Sequence, residues 1–228
     1  MEVQALAFDI FGTVVDYRSG VARVATRFGL DGPRFADAWR ARYEPSMDLV
    51  RRGELPWMNL DALQRRSLDG LLDEFGASNL GAEERNALVL AWHDLPPWPD
   101  ALEGLGRLRS RYVLTTLSNG GFALLTHLAR NARLRFDCIL SAELCRHYKP
   151  DPEVYLMAAD LLALAPSQVM LVAAHKRDLR AAQAVGLRAG FVERPLENGP
   201  EGEFDRLPDP DADVEARDFT ELAMRLGT

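Results

Sequence analysis

Short apolar runs that end in a polar or turn-forming residue recur along the chain, and each predicts a buried strand. These runs occupy 3–15, 112–120, 136–144, 169–175 and 188–195. Stretches with the spacing of an amphipathic helix alternate with them, at 101–111, 121–134, 152–164, 178–186 and 218–227. Strands that alternate with helices predict a parallel sheet covered on both faces, so we expect an α/β fold with a Rossmann-like sheet at its core.

The segment 15–94 departs from this alternation. It shows helical patterns at 20–30, 33–50, 59–76 and 82–95, and no convincing strand interrupts them. The stretch Leu-Pro-Pro-Trp-Pro-Asp at 95–100 then marks the return to the sheet, because its three prolines cannot continue a helix. We therefore predict a core domain formed by 1–14 and 95–228, with a helical cap domain, 15–94, inserted after the first strand.

The composition of the chain argues against several classes of protein. The chain of 228 residues carries 27 Lys and Arg against 34 Asp and Glu, a formal net charge of −7. This acidic balance argues against a protein that coats nucleic acid or an anionic membrane. The apolar runs are shorter than the roughly 20 residues of a membrane span, and two cysteines are too few for a disulfide scaffold. No signal-peptide pattern opens the sequence, so the cytoplasm is the expected location.

Polar residues stand at the ends of three predicted strands. Asp9 closes the first strand, Ser118 the second, and His175 the fourth, with Asp178 just beyond. Ligands of parallel sheets bind beyond the carboxyl ends of the strands, so these side chains are candidates for one site. In Asp-Ile-Phe-Gly-Thr at 9–13, the aspartate either caps a turn or serves as an exposed nucleophile, because carboxylates can form covalent intermediates.

Four short motifs together carry a family resemblance. They are 9–13, the stretch Thr-Thr-Leu-Ser-Asn at 115–119, the dipeptide Lys149-Pro150, and Asp178. With their order along the strands and a helical segment after the first motif, the chain resembles the haloacid dehalogenase superfamily over essentially its whole length. The resemblance implies that superfamily's parallel-sheet core and inserted cap.

Departures from the superfamily's phosphatases decide which chemistry to expect. Those phosphatases carry a second aspartate two residues after the first, which serves as general acid and helps to hold magnesium; here that position is Phe11. Aligning Asp178 with the last acidic residue of their fourth motif places Ala174 at the first. A divalent cation needs several hard oxygen ligands, so we expect no bound metal and no other cofactor. A metal-dependent phosphatase remains the less favoured alternative.

The aromatic residue at position 11 is similar to the L-2-haloacid dehalogenase branch of the superfamily. So are Trp39-Arg40 in the second cap helix, Tyr155 six residues after Lys149, and the stretch 95–108. Members of that branch often carry Ser-Ser-Asn before the aspartate of the fourth motif, where this chain has Ala-Ala-His ending at His175. From that difference we expect the water that hydrolyses the ester to be positioned differently here than in those members.

This resemblance implies hydrolytic dehalogenation of short 2-haloacids to 2-hydroxy acids through an ester on Asp9, with preference for the L enantiomer. Lys149 keeps Asp9 ionised, Asp178 orients Lys149 or the water, and Thr13 contacts Asp9. Arg40 offers a permanent charge to the departing halide. The candidate substrate-binding residues are Ile10 and Phe11 with their backbone N–H groups, Ser118, Asn119, Arg40, Tyr155, His175 and Trp57.

Several alternatives stay open at this point. Arg42, on the same predicted helix, competes with Arg40 as the halide ligand. The same nucleophile could open a strained ring in a non-halogenated carboxylate, and a non-catalytic binding module is a further reading. The expected partners are the small 2-haloacid and its halide, with no nucleic acid or membrane, and the resemblance implies a homodimer. The spacing of the motifs does not show which halogen the substrate carries, fluorine included, or how long its acyl chain is.

Overall fold

The computed structural model describes residues 2–228 and contains one parallel sheet. Its strands are β1 (Ala5–Phe8), β2 (Val113–Ser118), β3 (Cys138–Ser141), β4 (Val169–Ala173), β5 (Arg188–Val192) and β6 (Val214–Ala216). Their spatial order is β3-β2-β1-β4-β5-β6, with every neighbouring pair parallel. The expected α/β fold is confirmed, and β1 lies between the two strands whose ends carry the other candidate residues.

Helices surround this sheet within residues 2–228. They are α1 (Tyr17–Arg27), α2 (Gly32–Arg40), α3 (Tyr43–Arg51), α4 (Leu60–Glu74), α5 (Ala82–Leu90), α6 (Ala101–Leu108), α7 (Phe122–Asn131), α8 (Pro152–Leu161), α9 (Lys176–Ala184) and α10 (Phe219–Arg225). The first five occupy the segment between β1 and the prolines at 95–100. None of the helices in this part of the chain combines the length and apolar character needed to cross a membrane.

Two elements differ from the sequence expectation. The helical pattern at 33–50 forms two helices, because α2 ends at Arg40 and α3 begins at Tyr43. Pro45 explains the break, since a proline within a continuous helix would clash with the carbonyl four residues before it, whereas in the first turn of α3 it is tolerated. The three-residue strand β6 was not predicted, because its length is too short to show an alternating pattern.

Alternate side chains of each strand pack on opposite faces of the sheet. In β1, Leu6 and Phe8 belong to one apolar cluster and Ala7 to the other, and all three are fully buried. The same division recurs in β4, where Val172 and Leu171 face opposite sides. Both faces are therefore covered, and polar groups that need a solvent-filled space are left to the strand ends.

The helices of 15–94 join the core through aromatic contacts. Trp92 meets Phe11 edge to face at 5.5 Å and stacks on Tyr17 at 6.0 Å, while Trp39 meets Trp92 at 5.8 Å. These rings form part of the cluster that also contains Phe8. We propose the predicted boundaries, 1–14 with 95–228 and 15–94, as the core and cap of the molecule.

Arg194, just after β5, fixes the turn that follows β1. Its guanidinium makes two hydrogen bonds to Asp100, at 2.8 and 2.9 Å, and Nε donates to the carbonyl of Thr13 at 2.8 Å. Asp100 also accepts from the backbone N–H of Phe219, whose ring lies under the guanidinium. One buried ion pair therefore connects α6, α10 and the turn next to the candidate nucleophile.

Replacing Arg194 by methionine is expected to lower the free energy of unfolding by about 3–5 kcal/mol, because Asp100 keeps its charge and loses its partner. Arg188→Met is the matched control: that arginine pairs with Asp213 at 2.9 Å with 47% of its side chain exposed, so its loss should cost less than about 1 kcal/mol. Urea denaturation measures both. Equal losses would contradict the structural role of Arg194.

Candidate active site

Asp9 lies directly after β1, at the carboxyl edge of the sheet, and is 8% exposed. Its backbone N–H donates to the carbonyl of Val172 at 3.0 Å, which extends the sheet by one bond. The chain then turns through Gly12, whose φ of +84° favours glycine. A Cβ at Gly12 would also overlap the side chain of Glu197. The turn thus presents the Asp9 carboxylate at the sheet edge while Glu197 packs behind it.

Three side chains contact the two oxygens of Asp9 unequally. The Thr13 hydroxyl donates to Oδ2 at 2.7 Å and itself accepts from the N–H of Ala174 at 3.0 Å. His175 Nδ1 lies 3.3 Å from the same Oδ2. Lys149 Nζ approaches Oδ1 at the longer distance of 3.4 Å. Oδ2 is therefore held from two sides, whereas Oδ1 has one long contact.

Electrostatics keep Asp9 ionised although it is buried. Burial alone would raise the pKa of Asp9, but the charge of Lys149, then the contact with His175 and the hydrogen bond from Thr13, hold that pKa well below its usual range. The result is a carboxylate that stays charged in a partly dehydrated position, as a nucleophile must.

Lys149 links the two carboxylates of the predicted motifs. Its Nζ donates to Asp178 Oδ2 at 2.6 Å, and the Tyr155 hydroxyl donates to Oδ1 of the same aspartate at 2.5 Å. Burial by itself would lower the pKa of Lys149, but Asp178 and Asp9 raise it, so the ammonium keeps its proton. The backbone N–H of Lys149 donates to Asn119 Oδ1 at 2.7 Å, which fixes the segment against the end of β2.

This arrangement does not fit the magnesium site expected for the phosphatases of the superfamily that the sequence resembles. The Lys149 ammonium lies between Asp9 and Asp178, at 3.4 and 2.6 Å, where a divalent cation would have to neutralise the same pair. The side chain of Phe11 is buried and offers no oxygen ligand. The positive charge at these carboxylates comes from the protein.

A cavity of about 270 Å³ opens beside Asp9. The residues that line it are Asp9, Phe11, Arg40, Tyr43, Glu44, Met47, Asn119, Lys149, Pro150, His175, Arg177, Asp178 and Asp205. Phe11, Tyr43 and Met47 supply its apolar surface, and the remaining side chains are mostly polar or charged. Glu44 from α3 and Arg177 from α9 form an exposed ion pair at 3.0 Å across these two elements.

Arg40, the last residue of α2, reaches this cavity, and Arg42 does not line it. The Arg40 guanidinium lies 4.2 Å from the ring centre of Tyr43 and 5.1 Å from that of Tyr17. Arg42 instead pairs with Glu74 and donates to a carbonyl of its own segment. The two arginines therefore point to different surroundings, and Arg40 is the one that shares the cavity with Asp9.

Other predicted residues lie farther from the cavity. Trp57 does not line it and packs on Tyr148, with ring centres 4.8 Å apart. Ile10 has a fully buried side chain and can offer a ligand only its backbone. Ser118 is buried, and its hydroxyl accepts from the N–H of Gly120 at 3.2 Å, which shapes the turn beside Asn119. Tyr155 does not line the cavity, but its hydroxyl donates to Asp178, which does.

Glu197 is a residue that the sequence pattern missed. It follows β5 in a loop without periodicity, is 5% exposed, and accepts from His175 Nε2 at 2.8 Å. Burial alone would lower the pKa of His175, but Glu197 and Asp9 raise it from 6.5 to about 10, so the ring is an imidazolium near neutral pH. A buried carboxylate therefore stands behind His175, on the side of the ring away from Asp9.

Comparison with known proteins agrees with this geometry. The haloacid dehalogenase-like hydrolase family matches residues 3–186. The (S)-2-haloacid dehalogenase 1 of Pseudomonas sp. (strain CBS-3) is 31% identical over 198 residues, which cover 84% of this chain and 85% of that protein. A crystal structure of an L-2-haloacid dehalogenase is 44% identical, with a TM-score of 0.94 and 98% of both chains covered. That of a defluorinating L-2-haloacid dehalogenase is also 44% identical, with a TM-score of 0.95 over 99% of this chain and 96% of that one.

The family match covers most of the sheet and all of the predicted motifs, and the similar proteins agree in both sequence and fold. The resemblance first indicated by the residue at position 11 and by Trp39-Arg40 is confirmed at the level of the whole chain. The chain therefore belongs to the haloacid dehalogenase-like hydrolases, in their L-2-haloacid dehalogenase branch.

Proposed function

We propose that this protein hydrolyses short 2-haloalkanoic acids to 2-hydroxy acids through an aspartyl ester, without a metal ion. The observation that carries the proposal is the carboxylate of Asp9, ionised by contacts from Lys149 and His175 and open to a cavity that Arg40 also lines. The similar proteins are named as dehalogenases of this substrate class, which supports the same chemistry here. The proposed setting is the cytoplasm and the proposed assembly a homodimer, as the resemblance implies.

In the first step, Asp9 attacks C2 of the haloacid and displaces the halide. Oδ1 is the attacking atom, because Oδ2 is already held by Thr13 and His175 while Oδ1 has one contact of 3.4 Å. A new bond joins Oδ1 to C2 as the carbon–halogen bond breaks. Attack from the side opposite the halide inverts the configuration at C2, so an L substrate gives a D product.

The cavity supplies donors for both ends of the substrate. The amide N–H groups of Asn119 and the backbone N–H groups of the turn at Ile10 and Phe11 are the proposed ligands of the substrate carboxylate. Arg40 is the proposed ligand of the halide, since a guanidinium keeps its charge and offers several N–H donors. Phe11, Tyr43 and Met47 restrict the water around the reacting carbon, which strengthens these charge interactions.

In the second step, a water attacks Cγ of Asp9 and the bond between Cγ and Oδ1 breaks. Asp178 is the proposed base, because Lys149 and Tyr155 fix one hydrogen bond on each of its oxygens and leave further lone pairs for a water. The proton taken from the water returns to the leaving alkoxide. The 2-hydroxy acid then carries an oxygen that came from the protein.

We predict that halide release from L-2-chloropropionate persists after chelator treatment and is lost by at least about 10³-fold in Asp9→Asn, because the amide is a far weaker nucleophile. Ion chromatography of chloride, bromide and fluoride over haloacetates and both 2-chloropropionate enantiomers measures this. Fluoroacetate belongs in the panel because one similar structure is that of a defluorinating enzyme.

Assays on the same protein preparation distinguish the alternative functions. Activity that requires added magnesium, or turnover of p-nitrophenyl phosphate in place of haloacids, would identify a phosphatase. Binding of haloacids without release of halide by the wild-type protein would identify a binding module or an enzyme for a non-halogenated carboxylate. Either outcome overturns the dehalogenase proposal.

Arg40→Gln is expected to reduce kcat/KM for chloride release by about 10²-fold, because the departing halide loses a charged donor. Arg42→Gln is the matched control, since that arginine pairs with Glu74 away from the cavity, and its change should stay within about fivefold. Steady-state kinetics of both variants with L-2-chloropropionate decide the point. A larger loss in the Arg42 variant would assign the halide to the other arginine.

A further inference from the structure

Glu197 has no role in the steps above, and His175 serves there only as a contact of the Asp9 carboxylate. The side chain of Glu197 is 6% exposed, and its ion-pair partner among residues 2–228 is His175. Burying a carboxylate is costly unless it is paired, so the charge of this loop residue is balanced by its contact with the imidazolium. The other nitrogen of the same ring lies at Asp9.

The contact falls on a particular oxygen of Asp9. Oδ2 lies 2.7 Å from the Thr13 hydroxyl and 3.3 Å from His175 Nδ1, whereas the Lys149 ammonium approaches Oδ1. Once Oδ1 has bonded to the substrate, Oδ2 is the carbonyl oxygen of the ester. Water attack on that ester moves negative charge to Oδ2, where the Thr13 hydroxyl already donates and His175 Nδ1 lies within ion-pair distance.

We propose that Thr13 and the His175 imidazolium form the oxyanion site for hydrolysis of the Asp9 ester, and that Glu197 is the positioning residue that keeps this imidazolium charged and directed at Oδ2. The inference rests on the proposed function, because it concerns the second step of that reaction. His175 and Thr13 touch the reacting group, whereas Glu197 acts through His175.

Electrons and protons balance in this step: one proton of the water passes through Asp178 to the product, and the other is left on the Asp9 carboxyl group, which ionises again and releases it to solvent. The water oxygen bonds to Cγ, its proton passes to Asp178, and the carbonyl pair moves onto Oδ2. The tetrahedral intermediate then collapses: the pair on Oδ2 reforms the carbonyl, the bond between Cγ and Oδ1 breaks, and the alkoxide takes the proton from Asp178. His175 donates hydrogen bonds throughout and transfers no proton.

Once the ester has formed, the protonation of His175 depends mainly on Glu197. In the free enzyme Glu197 and Asp9 together raise the pKa of His175, and esterification removes the Asp9 charge. Two nearby cations oppose protonation of the ring: Lys149 contacts Asp9 Oδ1, and Arg40 lies close enough to Glu197 and Asp9 for both carboxylates to raise the pKa of its guanidinium. On the side of α9, Arg177, Asp178 and Asp205 line the same cavity, and their charges sum to one net negative charge. Glu197 is therefore the contact that retains the proton on His175 in the intermediate.

A general-base role for His175 makes the opposite prediction about pH. A base must be neutral, so hydrolysis would accelerate as the pH rises through the pKa of His175. A charged oxyanion donor must be protonated, so hydrolysis is retained at neutral pH and slows as the pH rises through that pKa. Because the pKa of His175 in the free enzyme is raised to about 10, we expect ester hydrolysis by the wild-type protein to slow only at alkaline pH.

The test uses Glu197→Gln, with Glu197→Asp as the conservative variant and Glu201→Gln as the control, since Glu201 is exposed on the same loop. Rapid-quench measurement of chloride in the first turnover follows ester formation. Intact-protein mass spectrometry in single turnover follows the decay of the ester. Both are recorded with L-2-chloropropionate at several pH values, and His175→Gln is measured in parallel.

We expect Glu197→Gln to change first-turnover chloride release by less than about threefold and to slow ester decay by about 10–100-fold, so that the ester accumulates. The alkaline loss of ester decay should move to lower pH in Glu197→Gln, recover in part in Glu197→Asp, and disappear in His175→Gln, which keeps a donor without a charge. Glu201→Gln should match the wild type.

Ester decay that accelerates with pH in the wild type would overturn the oxyanion role in favour of a general base. An unshifted pH profile in Glu197→Gln would overturn the role of Glu197, even if the rate falls. Absence of chloride or ester in the wild type would instead contradict the dehalogenase function itself, so the two failures are distinguishable.

Discussion

The ionised carboxylate of Asp9, held at the edge of the sheet and largely out of water, constrains the rest of the site. Burial opposes its charge, so the fold must bring positive groups to it: Lys149 from the segment after β3 and His175 from the end of β4. Each of these cations is in turn balanced by a further carboxylate, Asp178 and Glu197 respectively. Asp178, Lys149, Asp9, His175 and Glu197 thus form an alternating network of charges, in which each group has a partner of opposite sign.

The parallel sheet explains why such a network can form from distant parts of the chain. Carboxyl ends of parallel strands meet at one edge, and β1 lies between β2 and β4 in the observed order. The strands β1 to β5 could be predicted because each is a compact apolar run, and the helices because their apolar residues are regularly spaced. The strand β6 was not predicted, because three residues are too few to show a pattern. The break between α2 and α3 was not predicted either, because it depends on where Pro45 falls within a helix.

Much of the candidate site could be located in the sequence, because Asp9, Asn119 and Asp178 stand next to recognisable strands and Lys149 precedes a proline and a helix. Their roles remain proposals, but their convergence follows from the fold. Glu197, which sequence reasoning missed, comes from a part of the chain without a local signal. Glu197 lies in an irregular loop, and its importance depends on burial against the turn at 9–13, which no spacing reveals.

The central claim is that the Asp9 side chain bonds to carbon and is then hydrolysed. The most direct measurement is a single turnover with excess enzyme in water enriched in the heavy oxygen isotope, with mass analysis of the hydroxy acid and of the peptide that contains Asp9. The account predicts an unlabelled hydroxyl group in the product and one labelled oxygen in the Asp9 peptide. A labelled product together with an unlabelled peptide would contradict it.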